Sequence, residues 1–146
     1  MTLAACGGGG GLERDESKRV IKGGKASVFE LEIGDCLFSE LGLVADEVLE
    51  IPLVPCTEEH THEVFFETEY PEGPYPGSAA IELFAEQQCV GAFFDYVGVE
   101  LSESVYYFTY LFPSVSTWND EKDREIVCFV VARDQLLTAS VQGTKL

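Results

Sequence analysis

The densest run of reactive side chains in this 146-residue sequence passes from Cys56 through His60 and His62 to Glu63. On an extended segment, positions 60 and 62 project to one face. Two imidazoles so placed, with Cys56 as a third ligand, form a donor set for Zn²⁺ or Cu²⁺. That chemistry needs Cys56 as a thiolate, and a disulfide would remove it. His62-Glu63 also opens an H-E-x-x-H pattern, but Phe66 stands where the second histidine is required, so the zinc-protease motif is absent. A hydrolytic alternative uses His60 as base and Glu63 as its orienting partner. It lacks a marked nucleophile, since no G-x-S-x-G occurs. The simpler reading makes His60 a hydrogen-bonded structural residue beside a disulfide, with His62 exposed. We therefore expect no cofactor and no catalysis, with His60 and His62 as the residual metal candidates.

The five cysteines are Cys6, Cys36, Cys56, Cys89 and Cys128. No C-x-x-C pair suggests zinc. The last four allow three pairings, of which Cys36–Cys56 and Cys89–Cys128 are favoured. The first would tie the ends of a strand pair, the second a helix to the strand beneath it. The odd cysteine has a separate fate. Leu3-Ala4-Ala5-Cys6 resembles the lipobox of bacterial lipoproteins, in which the cysteine carries the lipid anchor. Five residues precede it, fewer than the apolar region of ~7–15 residues in a signal peptide. That fits a truncated chain, a misplaced start or a chance match.

Charge divides the sequence. Residues 12–25 hold five Lys/Arg against three acids, whereas after residue 25 four Lys/Arg face 23 Asp/Glu. We expect residues 1–25 to be a lipobox remnant with a flexible, glycine-rich and charged tether, and residues 26–146 to be the folded domain. So acidic a surface repels phosphate polymers, which excludes nucleic acid as a natural partner, and it favours a soluble monomer. No apolar run reaches the ~18 residues needed to span a bilayer.

Periodicity supplies the elements that must hold these side chains. Alternation predicts strands at 28–33, 48–54 (with Pro52 marking an edge or irregularity) and 64–68. Three prolines and two glycines make 70–77 a loop. Ser78 is the expected cap of a helix whose apolar positions run from Ile81 to Tyr96 and which ends at Gly98. A strand over 105–112, a short helix around Trp118, a doubly buried strand over 126–131 and a last strand over 136–141 complete the set. The sum is an α+β fold: a small antiparallel sheet with one main α-helix packed on it, stapled by two disulfides.

These motifs, taken in order, resemble the septum formation-related domain of actinobacterial envelope proteins. The matching residues are Gly34-Asp35-Cys36, Val54-Pro55-Cys56, His60 with Glu63-Val64-Phe65, and Tyr75-Pro76-Gly77. They continue with Cys89, Phe93 and Tyr96-Val97-Gly98, then Pro113 with Trp118, and Asp123-Arg124 ahead of Cys128. The sequence departs from the family where Glu59-His60-Thr61-His62-Glu63-Val64 replaces a Pro-His-Asp-Ala-Glu-Val-like run, and where Lys122 replaces a glycine. The resemblance implies an extracytoplasmic envelope protein, held to the outer face of the cytoplasmic membrane and linked to septum formation, and it brings no reaction with it. Asp35, His60, Glu63, Tyr75, Trp118 and Arg124 are the polar and aromatic residues that it marks. They are expected to form one buried network or, for Tyr75, Trp118 and Arg124, to line a groove. The expected function is non-catalytic binding of an envelope protein or cell-wall component, through the 70–77 loop and Trp118.

Overall fold

The computed structural model describes residues 11–39 and 50–146. A small hairpin, β1 (Glu13–Arg14) with β2 (Val20–Lys22), precedes a six-stranded antiparallel sheet. The strands of that sheet are β3 (Gly24–Ser27), β4 (Cys36–Leu37), β5 (Glu50–Val54), β6 (His62–Glu69), β7 (Tyr106–Leu111) and β8 (Glu125–Ala132). Their spatial order is β3-β5-β4-β6-β8-β7. Helix α1 (Ser78–Val97) packs on one face, and the short α2 (Val115–Asp120) lies between β7 and β8 in the chain. The expected α+β architecture is the one observed.

Strand β8 lies between β6 and β7 and is apolar on both sides, so it anchors two cores. Ile126, Cys128 and Val130 point into the layer beneath α1, while Val127 and Phe129 join Leu37, Ile51, Leu53 and Val64 on the opposite face. Helix α1 forms because Ile81, Ala85, Cys89, Phe93, Tyr96 and Val97 recur every three or four residues, and all six are buried. It stops at Gly98, whose φ of 91° is left-handed and whose N–H donates to the Phe94 carbonyl. At its other end the cap is Gly77; Ser78 is the first helical residue and makes no capping hydrogen bond. In β6 the pairing slips between Val64 and Phe66, leaving Phe65 opposite no partner. This bulge lets Phe65 and Phe66 both pack beneath α1 while Glu63 keeps its place on the helix side.

Four sequence expectations change. Residues 13–25 are not tether: they form the hairpin and edge strand β3, and the Leu12 backbone approaches Gly24 so closely that a Cβ there would lie 2.5 Å from the Leu12 nitrogen. Residues 28–33 form no strand, because the Ser27 side chain accepts from the Phe29 N–H and turns the chain into a 3-10 helix over Val28–Glu30. Residues 136–141 contribute a single bridge, Leu137 to His60, because Leu137 and Val141 plug the core from a loop. Pro52 lies inside the sheet rather than at its edge. It is tolerated because, within β5, only Leu53 and Val54 pair with the described part of β4, which leaves Pro52 paired to β3 alone. Cys6 lies outside the described residues.

Candidate functional site

Glu63 is fully buried on β6 beneath α1, a costly position for a carboxylate unless its oxygens are filled. They are filled. Tyr96 Oη and Ser140 Oγ each donate to Oε1 at 2.6 Å, and the Val141 N–H donates to Oε2 at 2.8 Å. Burial pushes this carboxyl up, but the neighbouring His60 ring, Ser140, Tyr96 and the Val141 N–H together outweigh burial and hold it below the usual range. Burial, and then the Glu63 charge, push the Tyr96 phenol far up, so it stays a proton donor. One side chain thus ties β6 to α1 and to the C-terminal loop.

His60 is also fully buried. Its Nδ1 lies 2.7 Å from the Glu58 carbonyl, which can only accept, so Nδ1 carries a proton. Nε2 then faces Glu63 Oε2 at 3.9 Å, within ion-pair range but too far to hydrogen-bond, and it has no hydrogen-bond partner among the described residues. His60 and His62, the residual metal candidates of the sequence, do not present their rings to one site. A bend at Thr61 breaks the strand alternation, and His62 turns to Thr61 Oγ1 and the Phe129 ring. Nor is His62 exposed; burial, reinforced by His60, lowers its pKa to about 4.

Asp35 is buried with a different partner. Arg14 grips both its oxygens at 2.6 and 2.7 Å, and the Glu32 N–H donates to it at 2.9 Å. Trp118 and Arg124 form a third, separate group. The Arg124 guanidinium lies 3.6 Å over the indole, Tyr70 and Tyr75 meet that ring edge-on at 5.7 Å, and Trp118 Nε1 donates to the Gly73 carbonyl. The expected single network is therefore three local ones. Trp118 is only 2% exposed, so it bolts the 70–77 loop down and is not a platform for a ligand.

Both favoured disulfides are present, Cys36–Cys56 and Cys89–Cys128. Cys89 and Cys128 are fully buried between α1 and β8. Cys36–Cys56 instead joins the β4–β5 end of the sheet and lines a cleft of about 640 Å³. Ile21, Ile33, Tyr96 and Ser140 share that cleft, and Cys56 is partly exposed in it. Beneath the disulfide, Cys36 Sγ, an imidazole nitrogen of His60 and a carboxylate oxygen of Glu63 all lie within 4.8 Å of one another.

The family model described as "Septum formation" matches residues 33–144. The chain belongs to the Septum formation family. No curated protein and no solved structure matches it. The family membership links the chain to septum formation, and two disulfides are compatible with an extracytoplasmic setting. No helix among the described residues is long and apolar enough to cross a membrane. Within this Septum formation domain, sequence reading missed Tyr96 and Ser140 as the donors that satisfy Glu63. Tyr96 carried a signal, since a tyrosine on the buried stripe of a helix needs a partner for its hydroxyl. Arg14 lies outside the matched segment, and its signal was a cationic stretch set against an acidic domain.

Proposed function

We propose that this domain is a monomeric, non-catalytic binding module at the division septum, anchored by lipid at Cys6 on the outer face of the cytoplasmic membrane. It recruits an envelope protein by strand addition to β7. One observation carries this reading: the two edges of the sheet are unlike. At one edge, β3 is four residues long, carries Lys25 and is approached by Leu12. At the other, β7 offers Tyr-Tyr-Phe-Thr-Tyr-Leu, with no charge and no proline to blunt it. Phe108 stacks on Tyr110 and Tyr110 meets Phe112 at a tilt, with centroids about 6 Å apart, and all three are partly exposed. An extended peptide gains backbone hydrogen bonds from such an edge and specificity from the aromatic ladder. The surrounding acidity favours a partner with basic flanks. A hydrolytic role at His60 and Glu63 is less well supported, because the Glu63 oxygens accept fold-closing donors, and a metal role is disfavoured in the oxidised protein, because the disulfide withholds the Cys36 thiolate.

The test is localisation in dividing cells. A fluorescent fusion should concentrate at septa, and the double variant Tyr110→Lys with Phe112→Lys should become diffuse while keeping its melting transition. A folded double variant that still concentrates at septa would refute strand addition at β7.

A further inference from the structure

The Cys36–Cys56 disulfide, His60 and Glu63 make a combination that the binding function leaves unexplained. A fully buried imidazole carries an Nε2 with no hydrogen-bond partner among the described residues. Its Nδ1 is held by a carbonyl, the usual way of presenting Nε2 to a metal. The facing carboxylate is steadied on Oε1 by Tyr96 and Ser140 and on Oε2 by the Val141 N–H, and Oε2 keeps a second lone pair on the side of the ring. The third group within 4.8 Å is Cys36 Sγ, a strong zinc ligand as a thiolate and a poor one in a disulfide.

We propose that Cys36, His60 and Glu63 form a zinc site that the disulfide masks and that reduction opens. The cleft admits the reductant to Cys56, the partly exposed half of the bridge. A dithiol attacks Cys56 Sγ, and the S–S bond breaks to release Cys36 as a thiolate. The second thiol of the reductant then displaces Cys56, which takes up a proton. Two electrons have passed to the protein, and the dithiol leaves as its own disulfide. Zinc binds Cys36 Sγ, His60 Nε2 and Glu63 Oε2, displacing any proton on that thiol to solvent. Its fourth position faces the cleft, as in an open zinc site. Zinc then ties Cys36 to His60 and Glu63, and Cys56 is left free.

The experiment titrates zinc into the intact protein, oxidised and after mild phosphine reduction, with a chromophoric chelator as competitor. Cobalt(II) serves as a second probe, because thiolate ligation gives it a near-ultraviolet charge-transfer band. Reduced protein should take up one ion per chain and show that band, and oxidised protein should take up none. Cys56→Ser, which frees Cys36 without reductant, should bind in both conditions. Cys36→Ser and His60→Gln should bind in neither, with amide spectra confirming that they fold. Uptake by the oxidised protein, uptake by folded Cys36→Ser, or none by folded Cys56→Ser would each overturn the proposal.

Discussion

The two disulfides occupy regions of opposite character. Cys89–Cys128 crosses the dry layer between α1 and β8, with Phe93, Ile126 and Val130 in the same core. Cys36–Cys56 closes the β4–β5 end of the sheet, with a cleft on one side and two buried titratable groups on the other. The first constrains the chain within a core that already packs well. The second sits where solvent, sulfur, imidazole and carboxylate meet. The same bond type is a plain staple in one place and a controllable one in the other, because accessibility and neighbouring polar groups set its chemistry.

The sharpest way to break this contrast is to remove each bridge in turn. Replacing Cys89 and Cys128 by alanine opens a 39-residue separation and thins the core, so stability should fall by about 4–5 kcal/mol in urea titrations. Replacing Cys36 and Cys56 opens a 20-residue separation beside the cleft and should cost about 2–3 kcal/mol. Equal losses would erase the distinction. Next, Glu63→Gln sets an amide against the Val141 N–H and should cost about 3 kcal/mol by the same measurement. A loss below that of a surface substitution would mean that Glu63 does not tie α1 to the C-terminal loop.

A pH series probes the polar region alone. His62, at about 4 when folded against 6.5 ordinarily, contributes stability above pH 6.5 that is lost as pH falls toward 4. Glu67 works in the opposite sense. Burial, then Glu125, Glu32 and Asp35, raise it from 4.5 to about 7, so its contribution is present below pH 4.5 and lost as pH rises through 7. The two oppose each other between pH 4.5 and 6.5. Glu67→Gln removes one of them, so that variant should lose about 2–3 kcal/mol between pH 6.5 and 4, whereas the parent stays flatter. Smallest of all, Arg124→Ala removes a stacked cation and should cost about 1 kcal/mol, seen as a modest drop in thermal midpoint.

Much of this was legible before any coordinates. Helix α1, strand β8 and the loop at 70–77 are written in strong local signals: a four-residue apolar repeat, an unbroken apolar run and three prolines. The disulfide pairing followed from placing those elements against one another. What stayed hidden depends on long-range partners. Residues 28–33 alternate like a strand, yet the Ser27 side chain turns the chain instead. Residues 136–141 look like a strand because Leu137 and Val141 are apolar, but they plug a core from a loop. In the site, His60 and Glu63 were marked, but not the Tyr96, Ser140 and Val141 donors, which come from more than 30 residues away in sequence. Closeness in sequence points to Cys56 as the sulfur near the histidines. Register instead sets Cys36 opposite Glu63, and that pairing is invisible in one dimension.

The most direct measurement is a graded reduction of the native folded protein, with thiols trapped by alkylation at each step and located by peptide mapping. The account predicts that Cys36 and Cys56 are labelled together at mild reductant concentrations while Cys89 and Cys128 remain bridged until the domain unfolds. Release of Cys89–Cys128 first, or of all four thiols in one step, would contradict it.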